Sequence, residues 1–236
     1  MLYNQDCFEF LKNINDNTVD LALIDPPYLI SKNITFEKGL KAFQMSLDYG
    51  EWDKEFKDFD VLIKKIYRVL KKNSWIICFY DIWKLSELKN IFDNTGFKQI
   101  RFLEWLKTNP VPVNKRFNYL SNAREIMLSA LKQGGTKIQT FNSDYDNGIY
   151  RYPICHEKDR FHPTQKPIKL IEEIILKHTN ENDLVLDCFS GSGTTMIACK
   201  NTNRNFIGCE ISKEYYEKSL QRLKKCSNSV IIQDLF

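Results

Sequence analysis

Two short stretches carry residue types that could do chemistry together. In Asp25-Pro26-Pro27-Tyr28, which follows the apolar run Val19–Ile24, two prolines fix φ and remove two N–H donors. The chain must leave a sheet there as a rigid corner with unpaired carbonyls. Such a corner offers the Asp25 carboxylate and the Pro26 carbonyl to the two hydrogens of a planar amino group, with Tyr28 placed to lie against a ring. An amine whose lone pair is delocalised into a nucleobase is a poor nucleophile. Accepting both of its hydrogens favours rehybridisation and stabilises the positive charge that grows as it attacks an electrophilic carbon. Taken alone, the tetrapeptide is also readable as a plain strand terminator with a tyrosine over the core.

The second stretch is Leu184-Val185-Leu186-Asp187-Cys188-Phe189-Ser190-Gly191-Ser192-Gly193-Thr194-Thr195, an apolar strand running into a Gly-x-Gly turn and a helix to about Lys200. Glycines let a ligand approach the backbone, and the helix N-terminus presents N–H groups to an anion. The turn lacks the lysine of a phosphate-binding loop, and Met196 stands where a dinucleotide fingerprint would have its third glycine. A smaller carboxylate-bearing ligand fits better than nucleotide phosphates, and a dehydrogenase is disfavoured. Glu210, ending the next apolar run, is placed to accept both hydroxyls of a ribose. A structural strand-to-helix turn is the alternative for the glycines alone; Asp187, Gly191, Gly193 and Glu210 in register argue for a cofactor cradle.

The elements that must position these residues alternate. Val19–Ile24, Trp75–Tyr80, Ile100–Leu106, Ile126–Leu131, Leu184–Leu186 and Phe206–Cys209 read as strands. Phe59–Leu70, Ile168–Leu176 and Tyr215–Leu223 read as amphipathic helices. This alternation predicts an α/β, doubly wound, mostly parallel sheet covered on both faces, with the pair near 100–131 as an antiparallel hairpin at an edge. Residues 29–57 and 133–161 show no sustained period, so the chain reads as one domain over 1–236 with a mobile loop near the active site at 29–57 and a target-recognition insertion at 133–161.

Composition agrees with a single globular domain: of 236 residues, 43% are hydrophobic and 27% charged. The net charge of +4, from 34 Lys and Arg against 30 Asp and Glu, permits a polyanionic partner without requiring one. Seven scattered cysteines with no C-x-x-C pair indicate neither a disulfide framework nor a zinc site. His156, His162 and His178 share no ligand spacing, so no metal is expected. With no leader pattern and no long apolar run, a cytoplasmic protein without membrane association is the expectation.

Asp25-Pro26-Pro27-Tyr28, the run Asp187–Thr195, and His162-Pro163-Thr164-Gln165-Lys166-Pro167 together resemble the amino-group DNA methyltransferases that use S-adenosylmethionine, in the motif order of the permuted beta class. The resemblance implies a Rossmann-like sheet of seven strands, one antiparallel, and methyl transfer onto a flipped base. It implies catalytic roles for Asp25, Pro26, Pro27 and Tyr28. Cofactor contacts are implied for Asp6, Cys7, Asp25, Thr164, Gln165, Lys166, Asp187, Phe189, Gly191, Ser192, Gly193, Thr194 and Glu210, with Thr164 and Lys166 on the methionine carboxylate. The aspartate of the corner accompanies adenine N6 as target in this class, with cytosine N4 the alternative, an RNA base further off, and a catalytically silent binding module a different class of reading. Trp105–Pro112 is similar to the segment flanking the target-base pocket, and Lys107, Lys115, Arg116 and Arg124 lie around it in sequence. Cys188 and Leu29 depart from the usual proline and asparagine without removing a ligand group. Implied partners are double-stranded DNA, a homodimer mate, and a cognate restriction endonuclease acting separately.

Overall fold

The computed structural model describes residues 1–27, 58–110, 122–135, 138–155 and 160–233, with side chains as far as residue 226. Tyr28, the segment 29–57, Lys115 and Arg116 lie outside the described residues. Among the described residues eight strands form one sheet: β1 (Leu2–Asn4), β2 (Val19–Ile24), β3 (Leu70–Tyr80), β4 (Lys98–Lys107), β5 (Arg124–Lys132), β6 (Ile149–Tyr152), β7 (Leu184–Asp187) and β8 (Asn205–Glu210). Their order is β1-β8-β7-β2-β3-β5-β4-β6. Only β5 runs against the rest, pairing antiparallel with β3 and β4. The helices are α1 (Cys7–Lys12), α2 (Phe59–Val69), α3 (Leu85–Thr95), α4 (Ile168–His178), α5 (Thr194–Asn201) and α6 (Lys213–Gln233). No described helix is long and apolar enough to cross a membrane.

The two-residue period of the central strands divides the core in two. Val19, Ala22 and Ile24 of β2, with Ile76 and Cys78 of β3, join Phe10, Leu62, Ile66, Leu88 and Phe92 from α1, α2 and α3. Leu21 and Leu23, with Trp75, Ile77 and Phe79, join Leu170, Ile174, Ala198 and Cys199 from α4 and α5 on the other face. A strand buried on both faces reads as a continuous apolar run, which is how Val19–Ile24 reads.

The sheet departs from the seven strands implied by the motifs: β6 is the eighth. It lies inside 133–161, pairs parallel to β4 from Glu104↔Ile149 to Lys107↔Tyr152, and takes the edge expected for the β4–β5 pair. Four residues with one buried side chain, Tyr150, are too few to show a period. Residues 138–155 are also tied to the fold elsewhere. The Asn142 N–H donates to the Lys177 carbonyl at 2.7 Å, Trp75 Nε1 donates to the Thr140 carbonyl at 2.9 Å, and Lys177 pairs with Asp146 at 2.6 Å.

Gly208 is where β7 and β8 allow least freedom. It stands opposite Asp187, and a Cβ there would lie 2.4 Å from the Asp187 carbonyl oxygen and 2.9 Å from Ser190 Oγ. Backbone cannot rotate away from that clash. Gly208→Ala is expected to cost about 2 kcal/mol and lower the melting temperature by about 4–8 °C, read by thermal unfolding; an unchanged melting temperature would show that the two strands are not held at this spacing.

Candidate active site

Between β2 and β7 the strand order reverses, since β3 continues to one side of β2 and β8 to the other side of β7. Ligands in open α/β sheets bind at the carboxyl ends of strands at such a point. A cavity of about 670 Å³ opens there, within the roughly 300–1,000 Å³ typical of small-molecule sites. Asp25, Pro26 and Pro27 line it from the end of β2, Asp187–Ser192 from the end of β7, Glu210 from β8, Gln5–Phe8 from beyond β1, and Thr164–Lys166 from the segment before α4. Residues 25–27 and the glycine turn therefore face one space, although they lie in distant parts of the chain.

The turn after β7 is braced from behind. Ser190 N–H donates to the Cys209 carbonyl at 3.0 Å, and Gly193 N–H to the Ser190 carbonyl at 2.7 Å. Arg222 of α6 donates to the Ser192 carbonyl at 3.1 Å and to Thr194 Oγ1 at 2.9 Å. Gly191, at φ +47°, lines the cavity beside His162, whose Nε2 would lie 3.3 Å from an added Cβ. Gly193 serves a different neighbour: at φ +71° it makes room for Ser219 of α6, which a Cβ would approach to 2.9 Å.

Glu210 accepts from Gly191 N–H at 2.7 Å through Oε2 and from Ser212 N–H at 2.8 Å through Oε1. Each carboxylate oxygen has a second acceptor direction, so the group is fixed by the turn and can still receive a vicinal diol. Burial raises its pKa against those hydrogen bonds. Asp6 caps α1, accepting from Phe8 N–H at 2.9 Å, and Cys7 follows as a buried thiol raised in pKa by that burial. Cys188 is raised as well, first by its hydrogen bond with Cys209 and then by burial, which leaves it inert.

The cavity is rich in carboxylates. Asp187 is buried, and burial lifts its pKa to about 7, with hydrogen bonds from Thr195 and the Phe189 N–H pulling down and the charges of Asp25 and Glu210 adding to the rise. Lys166 Nζ sits 2.5 Å from Asp25 Oδ2 and 3.1 Å from Glu125 Oε2. Burial alone would lower the pKa of Lys166, but Asp25 and Glu125 outweigh it and hold the ammonium well above its ordinary value. Burial likewise acts to raise Glu125, and Lys166 and Lys107 bring it below the usual carboxylate value.

Other expected residues are distributed differently. Gln165 is buried with Nε2 3.4 Å from Cys155 Sγ, and its Oε1 has no hydrogen-bond partner among the described residues. Thr164 Oγ1 lies 3.2 Å from His162 Nδ1. Trp105 is core, its Nε1 donating to the Tyr152 carbonyl at 2.9 Å. Lys107 reaches the cavity and pairs with Glu125 at 2.9 Å, whereas Arg124 pairs outside with Glu104 at 2.8 Å. Glu125, Phe79, Tyr215 and the role of His162 were not legible from motifs. A charged residue opening the apolar run Ile126–Leu131 was the available signal for Glu125. His162 stacks edge-on to Tyr215 at 4.5 Å, and burial lowers its pKa to about 4, so it stays neutral near pH 7.

Residues 19–221 match the family described as DNA methylase, N6_N4_Mtase, and the chain belongs to that family. It is 32% identical to the type II methyltransferase M2.DpnII of Streptococcus pneumoniae and to M2.LlaDCHI of Lactococcus lactis subsp. cremoris, each over 95% of this chain and 89% of the relative. The crystal structure of an M1.HpyAVI-SAM complex superposes with a TM-score of 0.70 at 31% identity, covering 94% of this chain and 98% of that one. The cytosine-N4-specific PvuII DNA methyltransferase shares the fold, with a TM-score of 0.71 at 20% identity over 96% of this chain and 89% of that one.

The state of Asp187 makes a pH prediction. A cationic ligand favours the ionised carboxylate, so binding must release the proton that burial retains below about pH 7. Affinity for S-adenosylmethionine is expected to rise with pH from 6 to 7.5, by at most about tenfold per unit, and to level off above. Calorimetry in buffers of different ionisation enthalpy reads the released proton. Asp187→Asn should flatten the profile; an unchanged slope in that variant would remove Asp187 from the account.

Proposed function

We propose that this member of the DNA methylase family transfers the methyl group of S-adenosylmethionine to the N6 amino group of a flipped adenine in duplex DNA. The observation that carries the reading is that the amine-gripping corner at Asp25–Pro27 and the glycine turn at Phe189–Gly191 line the same cavity. The cofactor fits the residues present: a fixed carboxylate for a ribose at Glu210, an apolar wall at Phe8, Phe189 and Ile211, and a buried acid for a cationic group at Asp187. Thr164 and Lys166 remain the proposed partners of its carboxylate. When bound, S-adenosylmethionine supplies an electrophilic methyl carbon.

The chain's own groups do the rest. Asp25 and the Pro26 carbonyl accept the two amine hydrogens, drawing the lone pair out of conjugation and toward the attacked carbon. Because two prolines fix the corner, these acceptors need little reorganisation as charge develops. A base within a duplex cannot reach such a pocket, so it must be extruded at a cost of a few kcal/mol. Stacking on Tyr28, worth about 1–3 kcal/mol, is proposed to offset much of that.

Adenine is preferred over cytosine because the corner begins with aspartate. The type II relatives support a place in a restriction-modification system, with a separately acting cognate endonuclease, a cytoplasmic location and a homodimer as parts of the same proposal. Recognition of sequence is assigned to 29–57 and 133–161. Within the latter, residues 138–155 also build the fold, so deletion of the whole segment would remove β6.

Incubation with tritiated-methyl cofactor and duplex DNA, followed by nucleoside mass spectrometry, is expected to give N6-methyldeoxyadenosine. N4-methyldeoxycytidine would overturn the base assignment, and no incorporation would overturn the activity. Asp25→Ala should lower turnover by about 10²–10³-fold; full turnover would contradict its role.

A further inference from the structure

Lys166 is an ammonium shared between two carboxylates. It is buried, lies 2.5 Å from Asp25 Oδ2 and 3.1 Å from Glu125 Oε2, and sits 4.7 Å from the centre of the Phe79 ring. Glu125 is held in turn by Lys107 at 2.9 Å on its other oxygen. The chain of charges Asp25, Lys166, Glu125, Lys107 thus runs from the end of β2 across the cavity wall to β5 and β4, and its formal charges cancel. Glu125 Oε2 is sealed from solvent and has no aligned hydrogen-bond donor among the described residues, although the side chain as a whole is 28% accessible. Its hold on Lys166 is a close ion pair at 3.1 Å.

Resting on the methyl-transfer reading above, we infer that Glu125 is a positioning residue: by drawing on the Lys166 ammonium, it limits how tightly that ammonium neutralises Asp25, the acceptor of the target amine. A carboxylate fully engaged by one lysine is a weaker acceptor for a second donor. A competing anion on the lysine's far side restores acceptor strength while keeping both carboxylates ionised. Fixing the fold would not require charges here, since buried ion pairs are often replaceable by apolar residues without loss of stability.

Other titratable groups face this chain of charges. Asp187 and Cys78 face Asp25, His162 faces Lys166, and Lys107 faces Glu125, with the Arg124–Glu104 pair beside it. His162 is neutral near pH 7 and Cys78 remains protonated. Near pH 7 Asp25 and Glu125 are therefore the two described anions that divide the Lys166 ammonium.

The test is single-turnover methyl transfer to unmodified genomic duplex DNA, with cofactor and DNA affinities measured beside it. Glu125→Gln is expected to slow the transfer step by about 10- to 100-fold and to leave both affinities within a few-fold. Glu125→Asp should recover part of the rate. In a Lys166→Met background, read at saturating cofactor, Glu125→Gln should cause no further slowing, because Glu125 acts through Lys166. If melting shows that Glu125→Gln folds poorly, Glu125→Asp is read in its place, and its transfer step should be slower than that of the unaltered protein with both affinities retained. A wild-type rate in Glu125→Gln, an equal loss of transfer rate and cofactor affinity, or further slowing by Glu125→Gln in the Lys166→Met background overturns the inference. Absence of any transfer by the unaltered protein is a separate result, and would refute the proposed function instead.

Discussion

Leu21 pairs with Val185 and Ala22 with Leu186, placing β2 and β7 side by side and parallel in the middle of the sheet. Everything at the cavity depends on that pairing. Because both strands run the same way, both end at the same edge, and the residues that follow them, Asp25–Pro27 and Cys188–Gly191, must share the space beyond it. The neighbouring pairs extend the edge: Asp187 stands opposite Gly208, and Asn4 opposite Glu210. Burial on both faces gives β2 no freedom to slip, since a shift of one residue would exchange Ala22 and Ile24 with Leu21 and Leu23 between two differently shaped cores.

The same edge concentrates charge. Asp25, Asp187, Glu210 and Glu125 converge on the cavity, and three devices keep them there. Glu210 is satisfied by backbone N–H groups, Asp187 by holding its proton to about pH 7, and Asp25 and Glu125 by dividing a buried ammonium. Each device leaves the group able to respond to a ligand: a diol, a cation and an amine, respectively. A site of this kind stores unfavourable electrostatics that binding relieves, which is consistent with perturbed acids clustering at functional sites.

Much of this was legible in the residues. The apolar run Val19–Ile24 is β2 residue for residue, and the stripes at Phe59–Leu70 and Ile168–Leu176 became α2 and α4, because both patterns report burial directly. The corner and the glycine turn were visible since prolines and glycines constrain the backbone wherever they stand. Elements shorter than a pattern escaped: β1, α1 and β6 have three, six and four residues. So did α3, whose buried stripe is only Leu88 and Phe92. Within the site, the pairing of Lys166 with Asp25 and Glu125 was hidden because it joins three parts of the chain that only the strand order brings together. Gly193 was read as ligand-facing, yet its missing side chain accommodates α6, a distinction that requires knowing what packs behind the turn.

The most direct measurement is a crystal structure with a non-transferable analogue of S-adenosylmethionine and a duplex containing the methylated adenine site. The account predicts the analogue against Phe189, Gly191 and Glu210, and the extruded adenine's N6 within hydrogen-bond reach of Asp25 and the Pro26 carbonyl in the same cavity. An analogue bound elsewhere, or a base seated away from residues 25–27, would contradict it.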